Sequence, residues 1–131
     1  MKYMLLMSRT KAEFEAFTQW PEEVLQAHIA FVQACAQELT EEGVFVAAEG
    51  LAFPAEAKIV RAGTNGEPIT DGVFPESKEF LAGYWIVDVE SPEEAYKIAA
   101  RASAAPAPAS MQGGFPIEVR QIMSGPPEDP L

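Results

Sequence analysis

The chain has 131 residues, of which 48% are hydrophobic and 22% charged, and 20 acids against 9 bases give a formal net charge of -11. Such a composition is that of one globular domain and excludes a disordered chain. The acidic balance argues against nucleic acid and against membrane surfaces as partners, because both are bound through clustered lysine and arginine.

The same composition predicts the cellular compartment of the protein. No apolar run approaches the roughly 20 residues of a membrane span, and the first ten residues are too short for a secretory signal. The one cysteine, Cys35, cannot form an internal disulfide. We therefore expect a reducing cytoplasmic compartment. With one cysteine and one histidine we expect no metal site, and no motif calls for another cofactor.

The first half of the chain reads as a strand, a connection, a helix and a strand. Residues 2–7 form a short apolar strand, and residues 8–20 connect it to the helix. Pro21 suits a first helical position, and apolar residues recur at helical spacing over residues 22–42. Gly43 supplies the stop. Residues 44–53 are the second strand, with a possible bulge at Glu49-Gly50.

The second half begins with a ribbon, because residues 57–62 and 68–70 flank an Asn65-Gly66 pair, which is a hairpin signal. Residues 81–90 form the long central strand. Ser91 then caps a helix over residues 92–103, and residues 117–123 form the last strand. We expect a single domain over residues 1–124 and a frayed tail over residues 125–131.

This order predicts an α+β fold, a ferredoxin-like β-α-β-β-α-β sheet with an inserted hairpin and both helices on one face. The central strand is largely apolar on both faces, as in a sheet that is covered on both sides. Two helices cover only one face. We therefore expect a homodimer with its sheets face to face, which would close a dimeric α+β barrel.

The residues from Asp71 to Leu81 carry the densest charge in the chain. Asp71, Glu76, Lys78 and Glu79 crowd around Gly72 and Phe74, directly before the central strand. Charged loops on the rim of a rigid sheet often carry binding and catalytic groups. The functional interpretation makes Gly72, Phe74, Glu76, Glu79 and the strand residue Tyr84 ligand-binding residues. Alternatively, Asp71-Gly72 is a turn, Phe74 fills the dimer core, and Lys78 forms structural bridges.

The proton-transfer candidate is His28, the only histidine. It lies beside the apolar stripe of the first helix, which also allows a core histidine with one hydrogen-bonded nitrogen. An imidazole suits proton transfer near neutral pH. In the catalytic hypothesis His28 is the base, Asp71 orients it and Lys78 stabilises developing negative charge. We also expect Asp88 to pair with an arginine such as Arg120.

Four segments of the chain resemble the YCII-related proteins, specifically their DGPF-type branch. The matching segments read MKYMLLM, HIAFVQACAQELTEEGVFVAAEGL, TDGVFPESKEFLAGYWIVDVESPEEA and IEVRQIM. Within DGVFPESKEFLAG, the residues that match the branch motif are Asp71, Gly72, Phe74, Glu76, Lys78, Glu79 and Gly83. The sequence departs from the motif where Val73 replaces a proline and where Pro75 follows two places later.

The resemblance implies a dimeric α+β barrel. It implies no settled reaction for this branch, although a helix histidine and an aspartate are the catalytic partners in the wider group, and His28 matches that histidine. Two hypotheses follow. The protein is a small cofactor-free isomerase or lyase acting on a small polar molecule, or it is a non-enzymatic ligand-binding or regulatory dimer whose charged loop is structural.

Overall fold

The computed structural model describes residues 1–72, 78–109 and 114–123. The strands are β1 (Lys2–Arg9), β2 (Phe45–Gly50), β3 (Ile59–Ala62), β4 (Pro68–Asp71), β5 (Phe80–Asp88) and β6 (Glu118–Gln121). The helices are α1 (Lys11–Phe17), α2 (Glu22–Glu41) and α3 (Pro92–Ser103), with a short 3-10 turn at Pro54–Glu56. The predicted tail over residues 125–131 lies outside the described ranges.

The main sheet has four strands in the order β2-β5-β1-β6, and every neighbouring pair is antiparallel. This is the order that a ferredoxin-like β-α-β-β-α-β chain produces, so the predicted α+β fold is confirmed. The inserted hairpin is confirmed as well: β3 and β4 pair with each other as a separate two-stranded sheet. Gly66 turns between them with a φ of +82°, a conformation that glycine adopts without strain.

The core lies between one face of the sheet and the helices α2 and α3. Leu5 on β1, Val87 on β5 and Leu39 on α2 are completely buried there. Trp85, next but one to Val87, is also buried. These are the residues that strand alternation and helical spacing assign to the interior. An ion pair between Arg101 and Glu38 joins α3 to α2 at the surface.

No described residues form a layer over the other face of the sheet. Register pairs Met4 with Ile86 and Leu6 with Tyr84, so these four side chains share that face, and all four are half-buried. Ala47 on β2, opposite Ile86, extends the patch. The single chain thus has the apolar second face that the sequence predicts, and the homodimer that would cover it stays a prediction.

Three local expectations are wrong. The bulge in β2 lies between Phe45 and Ala47 rather than at Glu49-Gly50. The connection after β1 contains the helix α1, which Thr10 begins with a capping box: Glu13 N–H donates to Thr10 Oγ1 at 3.1 Å, and Thr10 N–H donates to Glu13 Oε1 at 2.9 Å. Asp88 pairs with the amino group of Met1 at 3.1 Å and not with Arg120.

Candidate functional site

A cavity of about 430 Å³ lies between the helix-facing side of the sheet and the segments that surround α1 and α2. It is of the size that small-molecule sites have. Aromatic side chains make up much of its wall: Phe14, Phe17, Phe31, Phe53, Trp85 and Phe115. Helix α1 supplies the first two, so the element that the sequence did not predict forms one side of the cavity. The capping box at its start keeps that side in place.

His28 lies on the wall of this cavity, in the second turn of α2. Its Nδ1 lies 2.9 Å from the carbonyl oxygen of Pro106. A carbonyl oxygen accepts hydrogen bonds and never donates them, so Nδ1 carries the proton and Nε2 carries the lone pair of the neutral ring. The ring is half-buried and packs edge-on against Trp20 at 5.4 Å and Phe115 at 6.3 Å between centroids.

Two hydrogen bonds hold the loop after α3 in place next to the cavity. Ser103 Oγ donates to the carbonyl oxygen of Phe115 at 2.6 Å, and Phe115 N–H donates to the carbonyl oxygen of Ser103 at 3.0 Å. Gly114 makes the approach possible, with a φ of +91° and only 2.8 Å between an added Cβ and Ser103 Oγ. This double contact fixes Phe115, which packs against both His28 and Arg9.

Arg9, at the end of β1, is the cation of the cavity wall. Its guanidinium carbon lies 4.2 Å from the centre of the Phe115 ring, a cation–π contact. Burial lowers the pKa of Arg9 below its ordinary value, while the carboxylates of Glu13 and Glu79 act in the opposite direction. Among the described residues no carboxylate oxygen lies within 4.0 Å of the Arg9 nitrogens.

Two further wall residues matter for chemistry. Trp20 has a buried indole N–H that finds no hydrogen-bond partner among the described residues. Glu13 is the one acidic side chain of α1 on the wall, and its carboxylate already accepts the Thr10 N–H. Buried donors without partners are rare in proteins and need an explanation. The Trp20 N–H is buried away from the open space of the cavity, so its lack of a partner does not identify a ligand.

Gly83 lies at the floor of the cavity, where β5 passes β2. A Cβ at this position would lie 2.9 Å from the carbonyl oxygen of Glu49 and 3.5 Å from Gly50 Cα. Real Cβ atoms scarcely ever approach backbone that closely. The glycine therefore allows two strands to come together and keeps the floor free of a side chain.

The structure brings only one of the sequence-predicted catalytic residues to the cavity. Asp71 forms an exposed ion pair with Arg61 at 2.8 Å and makes no hydrogen bond to His28, whose ring is held by Pro106 instead. Lys78 is exposed and does not line the cavity. Whether Asp71 and Lys78 take part in a reaction stays a prediction.

The predicted ligand-binding residues are similarly dispersed. Gly72 and Glu79 are exposed, and of the two only Glu79 bears on the site, through its charge near Arg9. Tyr84 lies on the open face of the sheet, across from Leu6. Phe74 and Glu76 lie outside the described residues. None of the described members of this set lines the cavity.

Sequence reasoning missed Arg9, Trp20, Pro106 and Phe115. A signal existed for α1, because Thr10 and Glu13 have the spacing of a capping box ahead of an apolar residue. No comparable signal marks Arg9 or Pro106. Within residues 1–72, 78–109 and 114–123 no group of three or more His, Cys, Asp or Glu side chains could hold a metal ion. No described helix is both long and apolar enough to cross a bilayer.

Fold and cavity together define a class of small α+β proteins in which helices cover one face of a four-stranded antiparallel sheet and a ligand-sized cavity lies between the layers. The model of the YCII-related domain matches residues 1–122, and the chain belongs to this family. Comparison with the curated proteins gives no match. The assignment to the DGPF-type branch agrees with the family but stays a prediction.

Proposed function

We propose that the protein is a small cofactor-free enzyme of the isomerase or lyase type, and that its cavity binds a small molecule on which His28 transfers a proton. The observation that carries this proposal is the hydrogen bond from His28 Nδ1–H to the Pro106 carbonyl oxygen. It selects one tautomer and leaves Nε2 as the basic nitrogen. A general base needs this combination of fixed orientation and an available lone pair.

The wall around His28 supports proton transfer in a second way. Trp20 and Phe115 pack edge-on against the imidazole and limit its rotation. Aromatic surroundings also lower the local polarity, which strengthens electrostatic interactions within the cavity. Arg9 is positioned on the same wall, where its charge would stabilise an oxyanion that forms as a proton leaves carbon. The sequence had assigned that role to Lys78.

The substrate that fits this wall is more apolar than the small polar molecule expected from sequence. Aromatic side chains would contact most of its surface, and a few polar groups would fix its orientation. Polar side chains on the described wall that could contact a ligand are those of Arg9, His28 and Glu13. A molecule with a flat apolar body and one polar end therefore suits the cavity better than a sugar or a polyol.

A homodimer is part of the proposal. The face formed by Met4, Leu6, Tyr84 and Ile86 supports it, since a half-buried apolar sheet face is the kind of surface that self-association covers. The helices, and the cavity beneath them, lie on the opposite side of the sheet. In this arrangement dimerisation stabilises the sheet without closing the cavity.

The alternative is a ligand-binding module without chemistry, and one observation favours it. The acceptor for His28 Nδ1 is a neutral carbonyl and not a carboxylate, so the ring lacks the negative partner that stabilises an imidazolium in catalytic triads. A histidine held in this way could serve only to accept a hydrogen bond from a ligand. Both proposed functions require that the cavity binds a ligand, but only the enzyme would convert that ligand into a product.

The test is exchange of carbon-bound protons. The full chain is incubated in D₂O with enolisable ketones of suitable size, beginning with 2-indanone, and deuterium uptake is followed by proton NMR. We expect catalysed exchange that falls by roughly 10²–10⁴-fold in His28→Gln, the usual contribution of a general base. Saturable binding of the ketone with no catalysed exchange would contradict the enzyme proposal and favour the binding module.

A further inference from the structure

Arg9 is a half-buried cation, and the described residues use little of its hydrogen-bonding capacity. A guanidinium has five N–H donors, and the one bond that Arg9 makes to a described residue runs from Nη1 to the carbonyl oxygen of Ser8 at 2.8 Å. Burial lowers its pKa, since a buried environment disfavours the charged form. A buried charge is costly unless something pairs with it.

The contacts along the wall run from Arg9 to the candidate base. The Arg9 guanidinium stacks on Phe115 at 4.2 Å, Phe115 meets the His28 ring at 6.3 Å, and His28 meets Trp20 at 5.4 Å. The indole N–H of Trp20 is buried away from the open space of the cavity. Arg9, one ring away from His28, is therefore the donor that a ligand can reach.

Two carboxylates border the cavity beside Arg9. The Glu13 carboxylate accepts the Thr10 N–H at the start of α1. Glu49 borders the cavity, but register pairs it with Tyr84, so its side chain belongs to the open face of the sheet. Neither lies within 4.0 Å of the Arg9 nitrogens. Arg9 therefore remains the group of the described wall that can pair with an anion.

We infer that the ligand is an organic monoanion, with a flat apolar body among the aromatic side chains and one oxyanion group that pairs with Arg9. This inference rests on the proposed ligand cavity and specifies its substrate class. The bond to the oxyanion is charge-assisted, and arginine binds a carboxylate through two parallel N–H donors where geometry allows. Arg9 is then the residue that determines the preference for an anion.

The experiment compares two probes of the same shape that differ in charge, naphthalene-2-carboxylate and naphthalene-2-carboxamide. Their dissociation constants are measured by isothermal titration calorimetry with the full-length chain and with Arg9→Met, Arg9→Lys and Trp20→Phe. Arg61→Met is the matched control, because Arg61 is an exposed arginine of the ribbon that pairs with Asp71 away from the cavity. Circular dichroism and thermal unfolding of each variant accompany the titrations.

For the parent chain and for Arg61→Met we expect the carboxylate to bind at least tenfold more tightly than the amide, the range of a charged hydrogen bond. Arg9→Met removes that preference and leaves amide binding within about threefold, since amide binding depends on the apolar wall. Arg9→Lys retains part of the preference. Trp20→Phe leaves the preference for the carboxylate unchanged, because the indole N–H that it removes does not face the open space of the cavity.

Titrations of the parent chain alone can refute the inference, so the test remains decisive even if a variant fails to fold. Amide binding as tight as carboxylate binding would refute an anionic ligand and leave the cavity as a binding site. An unchanged preference in folded Arg9→Met would refute the role of Arg9. If neither probe binds at millimolar concentration, the proposed ligand cavity fails, and the inference fails with it.

Discussion

The Nδ1–H of His28 donates to the carbonyl oxygen of Pro106 at 2.9 Å, across 78 positions of the chain. The contact joins the second turn of α2 to the loop that follows α3. It fixes the imidazole in one tautomer without placing a negative charge beside it. The loop in turn depends on Ser103, whose hydroxyl holds Phe115. The stability of this loop and the chemistry of the histidine are therefore coupled.

Ser103→Ala removes the 2.6 Å hydrogen bond to the Phe115 carbonyl oxygen at a half-buried position. We expect a loss of about 0.5–1.5 kcal/mol in the free energy of unfolding, measured by urea denaturation. The same variant should bind naphthalene-2-carboxylate more weakly, because Phe115 carries the Arg9 contact. Thr40→Ala is the control: its hydroxyl also donates to a carbonyl oxygen, that of Ala36, but on the exposed side of α2. Equal losses in both variants would contradict a special role for Ser103.

Gly83→Ala places a Cβ 2.9 Å from the carbonyl oxygen of Glu49, so β2 and β5 must separate locally. We expect a destabilisation of about 1–3 kcal/mol, the usual cost of overpacking, seen as a lower urea midpoint. Gly50→Ala is the matched control, since Gly50 faces Gly83 in the register and an added Cβ there meets nothing within 4 Å. Equal urea midpoints for Gly83→Ala and Gly50→Ala would contradict this prediction, because they would show that β2 and β5 can separate locally without a loss of stability.

Asp71→Asn tests the role that sequence assigned to this residue. Its ion pair with Arg61 is exposed on both sides, and such pairs contribute about 0–1 kcal/mol. Since Pro106 already holds His28, we expect Asp71→Asn to keep most of the His28-dependent deuterium exchange and to unfold at nearly the parent urea concentration. A fall in exchange comparable to that of His28→Gln, with the fold intact, would restore Asp71 as a catalytic partner.

Ile86→Lys tests the proposed homodimer. Ile86 lies near the centre of the open sheet face, opposite Met4 and Ala47. A lysine there would be buried without a partner in the dimer, which is strongly unfavourable. Analytical ultracentrifugation should show a dimer for the parent chain and a folded monomer for the variant.

Val60→Lys is the control for that experiment, because Val60 is 58% exposed on the separate ribbon. It should sediment like the parent chain. A parent chain that sediments as a monomer at micromolar concentration would refute the dimer and leave the open sheet face without an explanation.

The sequence predicted the fold well because the relevant signals are local. Strand alternation, the Asn65-Gly66 turn and the Ser91 cap each depend on residues within a few positions of one another, and each is present in the structure. The capping box of Thr10 is equally local and was readable, so α1 could have been predicted. Once these elements are assigned in order, right-handed crossovers leave few topologies.

The site was harder to predict, because the strongest signal in the sequence pointed to a different segment, the cluster of charged residues in 71–79. In the structure Asp71 is engaged by Arg61 on the ribbon, and the described part of that segment does not line the cavity. His28 was found from its residue type, its place on the first helix and the family resemblance. The residues that give it a chemical setting, Trp20, Arg9 and Phe115, come from three separate segments of the chain.

The sequence by itself determined the order of the strands and of the two longer helices, the apolar open face and membership of the YCII-related family. Only the tertiary structure decided which groups meet at the cavity. The physical reason is that the partner of His28 is a backbone carbonyl, and every residue has one. Such an acceptor cannot be identified from the residue types in the sequence. Only the packing of the loop after α3 against α2 selects Pro106 from all the others.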